Sequence, residues 1–345
     1  MKKYLGILLA FFTVTLSLIF NQQAVSAAST SNVNYSISAE LPDNQAASNI
    51  SYFDLKVAPN QKETIKFKIN NNDVKDHTYK VAVNRATTDS NGVIIYNQHD
   101  VQPDDSLIYN IEDLVKYPKE VTVDKNSSKE IAVDISMPKE KFSGVLLGGI
   151  LVEENNQING TQTVKGVTLK NKYDYVLGLQ LQESTDIVKP DLKFVKAYQT
   201  SNQGQIYIAG ELDNDVPTLE KNVSVDAKIT HKNSPKIVLK SSKKNMSIAP
   251  NSNFDYPVNV NSTNGIDKNK RLKPGTYTMY LNVKSNNGND HWNLKRNFTI
   301  TSKQNYKINK KIPDRSKDIW IVLGVIAILI SVAISVIWNY RKKRN

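Results

Sequence analysis

Acidic residues stand in adjacent pairs at Asp104-Asp105, Glu112-Asp113 and Glu153-Glu154. Paired carboxyl groups do acid–base work on glycosidic bonds only when they face each other about 5–10 Å apart across a cleft. Adjacent residues in a strand point to opposite faces, so these pairs are poorly placed for that chemistry. The four histidines, His77, His99, His231 and His291, show no metal-ligand or triad-like spacing. Cysteine is absent, which removes disulfide scaffolds, thiolate zinc and iron–sulfur sites, and cysteine nucleophiles together. Asp213-Asn214-Asp215 and Asp89-Ser90-Asn91-Gly92 have the composition of calcium loops. Neither continues to a bidentate glutamate, and both read as turns. No catalytic, metal-ligating or cofactor-binding residue is assigned.

One stretch points instead to contact with another chain. Residues 142–152 read FSGVLLGGILV, too apolar to alternate and carrying three glycines. Such a run is a central strand buried on both faces, with glycine where another backbone or side chain comes close. Phe142, Ser143, Gly144, Gly148 and Gly149 are therefore the candidate binding residues, lining a groove for a polymer or a partner strand. Tight sheet packing or a bulge fits the same pattern.

The elements that must hold such a site are strands. Thr64-Ile65-Lys66-Phe67-Lys68-Ile69, Glu130-Ile131-Ala132-Val133-Asp134-Ile135 and Thr276 to Val283 alternate polar and apolar residues. That period of two marks half-buried strands. Asn70-Asn71-Asn72-Asp73, Pro274-Gly275 and Asn286-Asn287-Gly288 supply turns between them. Short strands at this spacing predict an all-β chain of two immunoglobulin-like antiparallel β-sandwich domains. Only 102–117 hints at a helical turn. Val57-Ala58-Pro59-Asn60-Gln61 is echoed by Ile248-Ala249-Pro250-Asn251-Ser252, each before an alternating run. The segment around 171–182 either pairs back onto the glycine-rich strand or opens the second domain; the border lies between 155 and 190.

The 345 residues carry 45 Lys+Arg and 33 Asp+Glu, a net charge of +12. The charge is uneven. Residues 28–160 hold 13 basic and 19 acidic residues, and residues 161–318 hold 26 basic and 14 acidic. A reversal of this size supports two domains, acidic then basic.

Both ends read as address and anchor. Lys2 and Lys3 precede an apolar run from Leu5 to Phe20, and Val25-Ser26-Ala27 offers a cleavage site, so 1–27 is predicted to be a secretory signal peptide. Residues 319–338 are 20 residues without a charge, long enough to span about 30 Å of hydrocarbon as a helix. Trp320 and Trp338 sit at the two expected interfaces, and Arg341, Lys342, Lys343 and Arg344 form a basic stop within a cytoplasmic tail at 339–345. Lys303, Lys307, Lys310, Lys311, Arg315 and Lys317 flank the other side, against the usual charge rule. The signal peptide decides the orientation, because it commits the chain to export before the span emerges. Export also makes nucleic acid an improbable partner for the basic half.

The order of Phe142-Ser143-Gly144, Gly148-Gly149-Ile150, Tyr173-Asp174-Tyr175-Val176-Leu177-Gly178, Gly210-Glu211-Leu212-Asp213-Asn214, Met246 to Ser252, Pro274-Gly275-Thr276-Tyr277 and one final span resembles the WxL-interacting proteins of Gram-positive bacteria. The resemblance covers nearly the whole exported part. It implies a peptidoglycan-binding domain, placed at 32–158, and a host-binding domain, placed at 165–305. It also implies partnership with secreted WxL-domain proteins at the cell wall, without cofactors or catalytic residues. The expectation is a non-enzymatic, single-pass type I scaffold of the plasma membrane. An adhesin for a host protein is the alternative, and a wall-glycan enzyme a distant third.

Overall fold

A computed structural model describes residues 34–98, 101–155, 162–164, 167–169, 173–186, 188–260 and 272–310, together with Gly324, Ile326, Ile330, Ser331, Ile334 and Ser335. The expected signal peptide and the anchor residues Trp320, Trp338, Arg341, Lys342, Lys343 and Arg344 lie outside the described residues. Within the expected span, the six described residues are helical and exposed. Among the described residues no helix is long and apolar enough to cross a membrane.

The chain is built from antiparallel sheets. Its first part runs β1 (Tyr35–Glu40), β2 (Phe53–Lys56), β3 (Lys62–Asn71), β4 (His77–Arg85), β5 (Thr87–Thr88), β6 (Ile94–Ile95), β7 (Val115–Lys116), β8 (Glu120–Val123), β9 (Ser127–Ser136), β10 (Val145–Glu154), the small pair β11 (Gln162–Val164) and β12 (Val167–Leu169), and β13 (Asp174–Gln182). One sheet has the order β1-β3-β9-β7 and the other β2-β13-β10-β4-β8. Alternation explains how they meet. In β3 the side chains of Ile65, Phe67 and Ile69 are buried, while Lys66 and Lys68 point out and pair with Glu130 (2.7 Å) and Glu40 (2.6 Å) on neighbouring strands. The inward residues of both sheets close one core, including Val81, Ile131, Ile150, Leu179 and Leu181. The strand at 174–182 belongs to this first module: it lies beside β10, with Gly178 opposite Gly149.

One pairing departs from the antiparallel expectation. β2 runs parallel to β13, with Leu55 opposite Leu181. The two strands are far apart in sequence, so no hairpin fixes their direction, and the buried Phe53 and Leu55 decide the placement. The helical hint in 102–117 is a single 3-10 turn at Ile111–Asp113, whose Glu112 N–H donates to the Asn110 side chain (3.3 Å).

The second module runs β14 (Lys193–Asn202), β15 (Gln205–Asn214), β16 (Glu220–His231), β17 (Ile237–Ile248), β18 (Ser252–Asn259), β19 (Gly275–Ser285) and β20 (Asp290–Ile300), followed by helix α1 (Ser302–Lys310). Its sheets are β14-β15-β18 and β17-β16-β19-β20, around a core that includes Ile208, Val225, Ile229, Tyr256, Met279 and Leu281. Helix α1 docks on β14: the Gln199 Nε2 donates to Asn305 Oδ1 (3.2 Å), and Gln304 Nε2 donates to the Gln199 carbonyl (3.2 Å).

The echoed Pro-Asn segments share a backbone device. Asn60 and Asn251 both adopt positive φ, 57° and 46°, where asparagine is tolerated and most residues are not. A second shared device is a buried asparagine that ties a turn. Asn71 Nδ2 donates to the carbonyls of Lys75 (2.8 Å) and Val123 (3.1 Å), and Asn214 Nδ2 to those of Thr218 (2.8 Å) and Ala249 (2.9 Å).

Candidate functional site

β10 is the middle strand of its sheet, between β4 and β13, so each of its residues faces either the core or the outer surface. Leu146, Ile150 and Val152 point inward and are buried. Gly148 lies between them. A Cβ placed there would stand 2.8 Å from the Asn84 carbonyl and 2.9 Å from Ile111 Cγ2. Gly149 points outward, yet a Cβ there would stand 2.7 Å from the Tyr96 ring and 2.8 Å from Val176 Cγ1. The close approach that the glycines signal is thus made by the chain's own Ile111 and Tyr96. The other candidates are dispersed. Phe142 packs at the core margin with its ring 6.4 Å from that of Tyr109, and Ser143 is exposed. Gly144, at φ 72°, turns the chain into β10 against Pro217 of the second module.

What Gly149 builds is a face. Its row across the sheet is Gly178, Gly149, Asn84. Asn84 Nδ2 donates to the Tyr96 carbonyl (2.6 Å), which holds that segment over the sheet. Tyr52 covers Gly178, with ring atoms 3.5 Å from where a Cβ would be. Burial, and secondarily the Tyr52 hydroxyl, pushes the Tyr96 phenol up to about 12. Tyr52 and Val176 are each 38% exposed. Beside them, Asp54 Oδ1 accepts from Gln180 Nε2 and Gln182 Nε2, both at 2.8 Å. Two tyrosines over a glycine floor and an exposed aliphatic group offer an apolar plane for a sugar ring. The buried Asp54 carboxylate holds the half-buried Gln180 and Gln182 amides, which are left as the polar groups for its hydroxyls.

Sequence reasoning assigned Gly149 but missed Tyr52, Asp54, Tyr96, Val176 and Gln180. Alternation in Phe53-Asp54-Leu55 and in Val176-Leu177-Gly178-Leu179-Gln180 carried the outward residues of two strands. Nothing in the local pattern carried Tyr96, which comes from a loop.

The acidic pairs have structural uses. Glu112 accepts from the Arg85 N–H (2.9 Å) and pairs with its guanidinium (3.3 Å). His77 spans Asp73 (2.9 Å) and Glu154 (2.8 Å), tying the start of β4 to the end of β10. Asp104 accepts from the Ser106 N–H (3.0 Å) and, across to the second module, from Asn253 Nδ2 (2.9 Å). Asp89 closes its turn by accepting from the N–H groups of Asn91 (2.8 Å) and Val93 (2.9 Å). Among the described residues no group of three or more His, Cys, Asp or Glu is placed to hold a metal ion.

The modules are joined by more than one chain crossing. The Val145 N–H donates to the Pro217 carbonyl (2.9 Å), and the Ser247 N–H to the Gly92 carbonyl (2.8 Å). Lys243 Nζ donates to the Ser90 carbonyl (2.9 Å), and Asn251 Nδ2 to Ser106 Oγ (3.0 Å). Gly92, at φ 76°, brings the hairpin tip directly against Met246.

A family profile described as WxL Interacting Protein, peptidoglycan binding domain, matches residues 35–154. A second, WxL Interacting Protein, host binding domain, matches 164–310. The chain belongs to the WxL-interacting protein family. Both family profiles describe binding domains. The first covers β1 to β10, and the second begins at the last residue of β11 and covers β12 to α1, so β13, which completes the outer face beside Gly149, falls within the second matched stretch.

No curated relative matches this WxL-interacting chain. Among solved structures, it is similar to the YadV chaperone (10% identity, 77% of this chain and 100% of that one, TM-score 0.30). It is also similar to the Pseudomonas aeruginosa CupB2 chaperone (11%, 70% and 93%, 0.27) and the E. coli chaperone DraB (11%, 77% and 95%, 0.26). Likeness this slight carries no further weight.

Proposed function

We propose that this WxL-interacting protein is a non-catalytic scaffold of the Gram-positive cell surface that binds peptidoglycan and secreted WxL-domain proteins. The observation that carries the reading is the succession of two binding-domain profiles along one chain. The signal peptide at 1–27 would export it, and a helix at 319–338 would hold it in the membrane, with 339–345 inside. Helical, exposed Ile326, Ile330 and Ile334 favour that helix, as does Ser335 Oγ, which donates to the Ser331 carbonyl (2.9 Å) and so satisfies its hydroxyl within its own helix. The two modules, immunoglobulin-like in this reading, would stand outside. The peptidoglycan contact is assigned to the outer face of β2-β13-β10-β4, around Tyr52, Asp54 and Gln180.

Co-sedimentation of the full-length chain with purified peptidoglycan sacculi tests the wall contact. Retention that falls on Tyr52→Ala supports it, and no retention at all overturns it. Protease added to wall-stripped protoplasts tests the topology: both modules should be lost and a C-terminal tag spared. A second reading, an adhesin for a host protein, is favoured by the profile over 164–310. Capture of wall fragments against capture of matrix proteins by the same chain separates the two.

A further inference from the structure

The sheet β17-β16-β19-β20 turns one face to the second core and the other to solvent. Register sets a row straight across the solvent face: Lys240 beside Lys228, Lys228 beside Tyr280, and Tyr280 beside Lys295. Lys284 stands on the same face four residues along β19. All four lysines are exposed, and Tyr280 is 42% exposed. In the next row Asn282 Nδ2 donates to Asn293 Oδ1 opposite it (2.6 Å). A broad concavity of about 1280 Å³ lies over these strands. Among the described residues of these four strands, Asp226 is the one carboxylate on that face.

Four lysines on other sheets are neutralised. Lys66 and Lys68 pair with glutamates in the first module, and in the second Lys196 pairs with Glu211 (2.8 Å) and Lys193 with Asp215. Lys228, Lys240, Lys284 and Lys295 have no ion pair among the described residues. Like charges directly opposite on neighbouring strands destabilise a sheet. The Lys228–Lys240 pair is therefore a cost that folding alone does not explain, and an anion lying between them would remove it.

We propose that this face is the docking surface for a linear anionic polysaccharide of another surface, with Tyr280 under a sugar ring and the lysines on its acidic groups. The proposal rests on the outward-facing, host-binding reading of the second module. With about 4.8 Å between strands, Lys228 and Lys295 stand one strand either side of Tyr280, about 10 Å apart. They offer two cationic points flanking one ring. The side-by-side amides of Asn282 and Asn293 suit hydroxyl groups. A protein partner would call for an apolar centre, and this face sets the Tyr280 ring, with the exposed His291 imidazole opposite Lys284, among amides and ammonium groups.

The test is binding of the full-length chain in detergent micelles to polygalacturonate, a carboxylate-bearing linear glycan, with neutral dextran, poly-glutamate and phosphatidylserine vesicles beside it. Polygalacturonate should bind best. Lys228→Gln with Lys295→Gln should weaken it roughly tenfold, from two exposed ionic contacts. Tyr280→Ala should weaken it by about half that factor. Lys75→Gln with Lys119→Gln, the same charge change in the first module, should leave it within about twofold. Lys228→Arg with Lys295→Arg should retain binding and shows that the site is folded. Equal loss in the first-module pair, an unaffected Tyr280→Ala, or tighter binding to poly-glutamate or vesicles each overturns the proposal. Adhesion of whole cells to host matrix is scored separately, so failure of the host-binding reading stays distinct from failure of this site.

Discussion

The backbone N–H of Ala249 donates a 2.8 Å hydrogen bond to Oγ1 of Thr88, and both residues are buried. Thr88 belongs to the first module and Ala249 to the second. The donor cannot reach water, so the hydroxyl is its replacement solvent. Around it, the Ser247–Gly92 bond and the packing of Gly92 on Met246 extend the same seam. The relationship makes the joint between the modules a specific, water-excluded contact.

Thr88→Val keeps the shape and removes the acceptor. It leaves the Ala249 N–H buried without a partner, a loss of about 1–3 kcal/mol. Thermal unfolding should show a lower Tm and a broadened or split transition as the modules uncouple. Thr87→Val serves as the comparison, because Thr87 Oγ1 makes only a 3.4 Å contact with Gln98. If Thr88→Val melts like the wild type, the seam contributes nothing.

Asp213 makes the same joint sensitive to pH. Burial, then Asp104 from the first module and Asp215, push its carboxyl up to about 6. One of its oxygens is buried with no hydrogen-bond partner. A carboxyl whose folded pKa is raised favours the folded state most at pH below its unfolded value, about 3.9. That contribution is lost as pH rises toward 6 and stays lost above it. Asp213→Asn removes the titration. The difference in Tm between wild type and variant should therefore move in favour of Asp213→Asn from pH 4 to pH 7. A difference that stays flat across this range would show that Asp213 titrates in the ordinary carboxylate range.

Much of this architecture was legible in the sequence, and the reason is periodicity. The runs at 64–69 and 130–135 fall in β3 and β9, which pair with each other, and their apolar residues are the ones buried. The doubly apolar run at 142–152 became a central strand, because only a strand covered on both faces tolerates it. Contacts set by long loops were not legible. The parallel partnership of β2 and β13 joins strands with no turn chemistry in common. Tyr96 reaches Gly149 from a loop after β6, and no local pattern encodes that reach. The glycines announced a close approach, but not whether the approaching group was a ligand or the chain itself.

Three glycines on the two central strands separate those cases. Gly148→Val drives methyl groups into Ile111 and the Asn84 carbonyl, so it should cost about 1–3 kcal/mol or more through overpacking. Gly149→Ala meets the Tyr96 ring and should displace it, lowering both Tm and peptidoglycan retention. Gly178→Ala meets Tyr52 at an ordinary 3.5 Å and should be tolerated or slightly stabilising, since alanine suits a strand better than glycine does. Equal melting temperatures for all three would contradict the packing described above.

Tyr52 and Tyr96 give the sharpest division between binding and folding on the outer face. Tyr96 is half-buried, and its segment is held by Asn84, so Tyr96→Ala removes packing as well as any contact surface. Tyr52 is more exposed and rests on a glycine, so Tyr52→Ala removes an apolar plane while leaving the core residues Phe53 and Leu55 in place. A surface substitution of this kind usually changes stability by no more than about 0.5 kcal/mol. If the face takes a sugar ring, losing that plane should weaken retention on sacculi by about 1 kcal/mol, roughly fivefold. Tyr52→Phe keeps the plane and should retain most binding, and Asp54→Asn should weaken it by releasing the Gln180 and Gln182 amides that the buried carboxylate holds in place. Retention unchanged in Tyr52→Ala, with Tm also unchanged, would move the wall contact off this sheet.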